Sequence, residues 1–100
     1  MDKEKRTICI LDDIGESTIN TAYTELLEMI LDDDKEESEK KDFTRKPIKI
    51  YINTYGGLTY DIWAFVDLMM TTKTPIYTYC TGYCMSAGFI IFIAGDKRFA

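Results

Sequence analysis

The residues best suited to chemistry in this 100-residue chain stand in two short glycine-bearing turns. One is Gly82-Tyr83-Cys84-Met85-Ser86-Ala87-Gly88, where a single hydroxyl lies among small residues at the entry to an apolar run. A serine at the start of a helix sits in the positive end of the helix dipole. The N–H of the residue after it has no intrahelical partner and can face a developing oxyanion. The plainer use of such a serine is as a helix N-cap. The other turn is Asn53-Thr54-Tyr55-Gly56-Gly57. Adjacent glycines permit positive φ and leave backbone N–H groups uncovered, as an anion cradle or an oxyanion hole requires. The plainer use here is a tight strand-to-helix turn.

What is missing narrows the chemistry further. The chain has no histidine, which excludes a complete Ser-His-Asp or Cys-His machine within these residues and also removes His-ligated zinc and haem. The cysteines at 9, 80 and 84 have neither CxxC nor metal-ligand spacing and read as reduced thiols that pack as small hydrophobes. Cys84 has no cationic neighbour in sequence, so a raised pKa is expected and the thiol is a poor nucleophile. Asp32, Asp33 and Asp34 lack the spacing and the glycine of an EF-hand loop. No metal or cofactor is expected, and with no GxxxxGK[ST] motif any use of ATP belongs to a partner.

The 17 acidic against 12 basic residues, a net charge of −5, argue against nucleic-acid binding, which needs clustered Lys and Arg. The longest apolar run, Phe89 to Ala94, is far too short to span a membrane, and the MDKEKR start has no secretory h-region. A cytoplasmic location without a membrane partner is the resulting expectation.

Hydrophobic periodicity supplies the elements that must position the two turns. Thr7 to Leu11 reads as a buried strand, and Ile19, Ala22, Tyr23, Leu26, Leu27, Ile30 and Leu31 come next at helical spacing after an N-cap at Ser17 or Thr18. The charged segment 32–46 is expected to be a solvated loop. Ile48, Ile50 and Ile52 alternate as a second strand that ends in the first glycine turn, and Ile62 to Met70 form a broadly apolar helix. Ile76 to Cys80 read as a third strand closed by Gly82, with a helix of about three turns over Met85 to Ala94. Strand alternating with helix argues for an α/β fold with a parallel sheet and right-handed crossovers, as one domain over 1–100. In such sheets ligands bind beyond the carboxyl ends of the strands, where both turns fall.

Together the two turns resemble those of the ClpP family, the proteolytic subunits of Clp proteases, within the wider crotonase-like superfamily. The family's Y-I-N-S-P-G-G pattern is similar to Tyr51 to Gly57, and its G-x-A-A-S-M-G pattern is similar to Gly82 to Gly88. The 29 residues from Gly57 to Ser86 match the family's separation, and the similarity extends from Arg6 to Phe99. Thr54-Tyr55 stand for Ser-Pro, Cys84-Met85 for two alanines, and Ala87 for methionine. The resemblance implies a ClpP/crotonase-like fold, incomplete at the C-terminus, and a Clp-type serine endopeptidase subunit that cleaves unfolded polypeptides inside an oligomeric chamber. It implies Ser86 as nucleophile, the N–H groups of Gly57 and Ala87 as oxyanion hole, and Gly56, Gly57 and Leu58 as binders of an extended substrate. The family's catalytic histidine and aspartate fall beyond these residues, so the chain alone is expected to be inactive; a homo-oligomeric ring and an AAA+ unfoldase partner complete what the resemblance implies. A non-catalytic scaffold subunit or remnant is the alternative. An acyl-CoA enzyme of crotonase type needs no serine nucleophile, and a flavodoxin-like binding domain fits neither glycine turn.

Overall fold

The computed structural model describes residues 6–57 and 62–100. Seven elements alternate along the chain: β1 (Thr7–Asp13), α1 (Glu16–Glu39), β2 (Ile48–Gly56), α2 (Ile62–Thr71), β3 (Ile76–Cys84), α3 (Ala87–Ile93) and β4 (Lys97–Phe99). The strands form one sheet in the order β1-β2-β3-β4, and every neighbouring pair is parallel. This is the α/β class expected from the alternation of strand-period and helix-period segments.

Alternation along the strands sorts side chains between two unlike faces. Ile8 and Ile10, Ile48, Ile50 and Ile52, and Ile76 all point to one face and are buried there. The core closes over them with Ile19, Leu26 and Met29 of α1, Phe65 and Met69 of α2, and Ile91 of α3. Isoleucine dominates the strand positions because a β-branched side chain packs well on a pleated surface. The opposite face carries an aromatic row. Tyr51 stacks on Tyr79 with ring centroids 4.7 Å apart, Tyr79 stacks on Phe99 at 4.7 Å, and Tyr77 tilts against Phe99. Among the described residues no helix covers this row.

Three boundaries differ from the sequence reading. The first helix does not end near Leu31 but runs 24 residues to Glu39, so the first eight residues of the expected 32–46 loop are helical. Glu and Lys are strong helix formers, and the one carboxylate on the inward face is paired rather than solvated. Asp33, 4% exposed, accepts two hydrogen bonds from the Arg6 guanidinium at 2.7 and 3.1 Å and one from the Thr74 hydroxyl at 2.8 Å. Arg45 then clasps the exposed side of the extension, bonding Asp34, Glu37 and Thr74. The hydrogen bond and charge of Arg45 hold the Glu37 carboxyl below the ordinary glutamate range.

The other two differences lie at a helix start and at the second glycine turn. Gly15, not Ser17 or Thr18, occupies the N-cap of α1. The third strand does not close at Gly82 but continues to Cys84, and α3 begins only at Ala87, leaving two turns of helix where three were expected. The register explains the longer strand: Ile52 pairs with Cys80 and Thr54 with Cys84, so β3 uses four residues to advance two along β2. A bulge of this kind bends a strand and re-aims the chain beyond it. Here the re-aimed segment carries Ser86.

Candidate active site

Ser86 sits at the junction of β3 and α3 with φ 51° and ψ −119°. For a residue with a Cβ this is a strained conformation that costs on the order of 1–3 kcal/mol and persists only where its surroundings impose it. The side chain is exposed and makes no capping hydrogen bond to α3. The simpler role of helix N-cap is therefore not the one its hydroxyl fills. A sharp, strained strand-to-helix turn is also how serine nucleophiles are lifted clear of a parallel sheet.

The first glycine turn is pressed against this serine. Gly56 has φ +98°, and a Cβ placed on it would come within 2.7 Å of the Ser86 Cβ, 2.6 Å of the Met85 carbonyl oxygen and 3.2 Å of the Ala87 nitrogen. Only glycine fits that approach. A Cβ on Gly57 would run into the backbone of Ile14, so the second glycine is demanded by the end of β1. The Ile14 N–H donates to the Gly56 carbonyl at 2.9 Å, which ties the same turn to β1.

Thr54 and Asn53 join the two turns. The Thr54 side chain is buried, its Oγ1 accepts the Gly56 N–H at 3.0 Å, and its carbonyl accepts the Met85 N–H at 3.2 Å. Asn53 Oδ1 accepts the Tyr83 N–H at 3.0 Å. Tyr55 and Tyr83 stack above them with centroids 4.5 Å apart. Sequence reasoning marked Thr54 and Tyr55 only as departures from the family pattern and passed over Asn53. The signal for Thr54 was the hydroxyl retained at that place. No sequence signal pairs Tyr55 with Tyr83, because the bulge that brings them together is a property of register.

The structure thus sets Gly56 against Ser86 and Ala87, with Gly57 next in the chain and packed on Ile14. Leu58, expected to bind substrate beside them, lies outside the described residues. The Cys84 thiol is pushed up to about 12, first by burial and then by its contact with Cys80, so it is no competing nucleophile at neutral pH. Among the described residues no group of three or more His, Cys, Asp or Glu is placed to hold a metal ion, and no helix is long and apolar enough to cross a membrane. A cavity of about 560 Å³ lies elsewhere, between α1 and α2. It is lined by Leu27, Ile30 and Leu68 and rimmed by Glu37, Arg45 and Lys73.

A parallel α/β sheet with a glycine turn set against an uncapped serine at a strand-to-helix junction is the class of fold and site that these residues define. The particular family emerges from comparison with known proteins. The family model described as Clp protease matches residues 3–100, and the chain belongs to the Clp protease family. The ATP-dependent Clp protease proteolytic subunit of Deinococcus radiodurans is 44% identical over 50 residues, covering 50% of this chain and 24% of that protein. The ClpP protease catalytic domain from Plasmodium falciparum has the same fold with a TM-score of 0.76 at 28% identity, over 95% of this chain and 48% of that one. ClpP1 from Listeria monocytogenes matches with a TM-score of 0.76 at 23% identity, over 94% of this chain and 49% of its own. The chain spans about half the length of these solved relatives and a quarter of the curated one.

Proposed function

We propose that this chain carries the nucleophile half of a Clp-type serine peptidase. Ser86 attacks the scissile carbonyl, and the N–H groups of Gly57 and Ala87 receive the oxyanion. Gly56, Gly57 and Leu58 hold the substrate backbone extended across the turn. The observation that carries the reading is the approach of Gly56 to within 2.7 Å, measured from its Cβ position, of the Ser86 Cβ. Nothing larger than glycine can sit there, which is what a shared pocket for one oxygen atom demands.

The base must be borrowed, since the 100 residues contain no histidine. The reading assigns the histidine and aspartate of the triad to residues outside this chain. It places the single Clp-like domain of residues 1–100 in a ring of like subunits enclosing a chamber. Its substrates are unfolded polypeptides delivered by an AAA+ unfoldase, and no cofactor enters the chemistry. Without a base, Ser86 retains only what oxyanion stabilisation and binding supply, a loss of several orders of magnitude.

The test is labelling by a fluorophosphonate probe. The native assembly, containing a His-bearing segment, is expected to be labelled at Ser86 and to cleave a small unstructured peptide, and Ser86→Ala is expected to abolish both. Labelling of the isolated chain equal to that of the assembly overturns the reading. So does peptide cleavage that survives Ser86→Ala, which leaves the chain as a non-catalytic scaffold.

A further inference from the structure

The β3 bulge does something to the chain's thiols that the bare sequence does not show. Cys80 and Cys84 are four residues apart, a spacing that in a regular strand puts their Cα atoms about 13 Å apart. Their partners on β2, however, are Ile52 and Thr54, only two residues apart. Two residues of a regular strand span about 6.6 Å, so this register shortens the Cys80-to-Cys84 span toward the window of roughly 4.4–6.8 Å between Cα atoms that a disulfide bridges. Both cysteines are half-buried on the same stretch of strand, and both thiols are free.

Neighbouring bonds hold the bulge in this shape. Ile52 O accepts from the Thr81 hydroxyl at 3.3 Å and from the Cys84 Sγ at 3.8 Å, while the Cys80 Sγ donates to the Gly82 carbonyl at 3.7 Å. Within the bulge the Tyr83 N–H is held by Asn53, and past it the Met85 N–H is held by Thr54. The closed loop would contain only Thr81, Gly82 and Tyr83, and it ends two residues before Ser86.

We propose that Cys80 and Cys84 form a reversible dithiol–disulfide pair whose oxidation stiffens the turn that presents Ser86. With a glutathione-type disulfide as oxidant, the Cys80 thiolate attacks one sulfur. A Cys80–S bond forms, the S–S bond breaks, and one glutathione thiolate leaves. The Cys84 thiol then loses its proton and attacks the Cys80 sulfur, expelling the second glutathione. The balance is two protein thiols and one oxidised glutathione giving one protein disulfide and two reduced glutathiones, which take up the two protons. Burial keeps Cys84 protonated, so Cys80 is the entering thiol. Cys9, exposed on β1, has no thiol neighbour in register and serves as an internal control.

The experiment treats the full chain with oxidised glutathione, blocks remaining thiols with N-ethylmaleimide and reads peptides by mass spectrometry, with amide hydrogen exchange on the reduced and oxidised forms. The expected result is an intramolecular Cys80–Cys84 bond, a loss of two hydrogens, that is absent in Cys80→Ser and Cys84→Ser, retained in Cys9→Ser, and reversed by dithiothreitol. Exchange across residues 81–90 is expected to slow several-fold in the oxidised form. Maleimide on both cysteines, stable glutathione adducts at Cys80 and Cys84, or equal exchange in the two forms overturns the proposal. Neither readout depends on Ser86 being a nucleophile, so this proposal and the peptidase reading fail separately.

Discussion

A serine that caps a helix turns its oxygen onto the first-turn N–H groups, and one that merely fills a turn takes a relaxed backbone. Ser86 does neither: its φ of 51° is a strained backbone that its surroundings impose, and its hydroxyl makes no capping bond. Glycine adopts this backbone without penalty. Ser86→Gly is therefore expected to stabilise the chain by about 1 kcal/mol, raising Tm by roughly 4–8 °C, while removing all labelling by an acylating probe. Ser86→Ala removes labelling equally and leaves Tm near that of the parent. Thermal melts of the two variants check this, and a lower Tm for the glycine variant would refute the strain argument. Thr54 is tested by exchanging shape for polarity. Thr54→Val keeps the volume but leaves the Gly56 N–H without its acceptor in a buried site, and it should cost about 1–3 kcal/mol. Thr54→Ser keeps the acceptor and loses only a buried methyl, so denaturant melts should place it closer to the parent.

The elements were largely legible from periodicity alone, since isoleucines at every second place in β2 and apolar residues at helical spacing in α1 answer to local geometry. The glycine turns were legible too, because their residue types report their backbone. What the sequence hid are features decided by partners far along the chain. Asp33 lies in a run of charge that looks solvated, and its partners Arg6 and Thr74 are 27 and 41 residues away. The bulge in β3 was hidden because register belongs to a strand pair, and no single strand carries it. The extension of α1 rests on that buried carboxylate. Asp33→Ala leaves the largely buried Arg6 guanidinium with the Lys46 carbonyl but without its carboxylate, and the loss of one partner of a buried pair costs about 3–5 kcal/mol. The variant should melt well below the parent, with hydrogen exchange rising first in residues 32–39. Asp34→Ala, whose carboxylate is half-exposed, should cost no more than about 1 kcal/mol. Equal effects from the two substitutions would show that the extension is held by helix propensity and not by the buried contact.

At the scale of the whole molecule, the sheet has one face too few. Parallel sheets are ordinarily covered on both sides, and here the described helices all pack on the isoleucine face. The row of Tyr51, Tyr79 and Phe99 on the other face is continuous across three strands and mutually stacked. Lys97 lies over the Tyr77 ring at its margin. A contiguous aromatic surface rimmed by charge favours association, since each ring withdrawn from water contributes about 1.5–3 kcal/mol. The net charge of −5 opposes it only at long range and is screened by salt. The isolated chain is therefore expected to self-associate through this face, with an average mass in sedimentation equilibrium that rises with concentration and with added salt. Tyr79→Glu sets a carboxylate at the centre of the row without touching the core, because Ile76 and Thr78 face the opposite way. It should weaken association tenfold or more, about 1.4 kcal/mol, while leaving the melting curve of the monomer close to that of the parent. Trp63 and Met70, exposed on α2, provide the control surface. If Trp63→Glu disperses the oligomer and Tyr79→Glu does not, the copies meet through the helices and the aromatic row is not the contact.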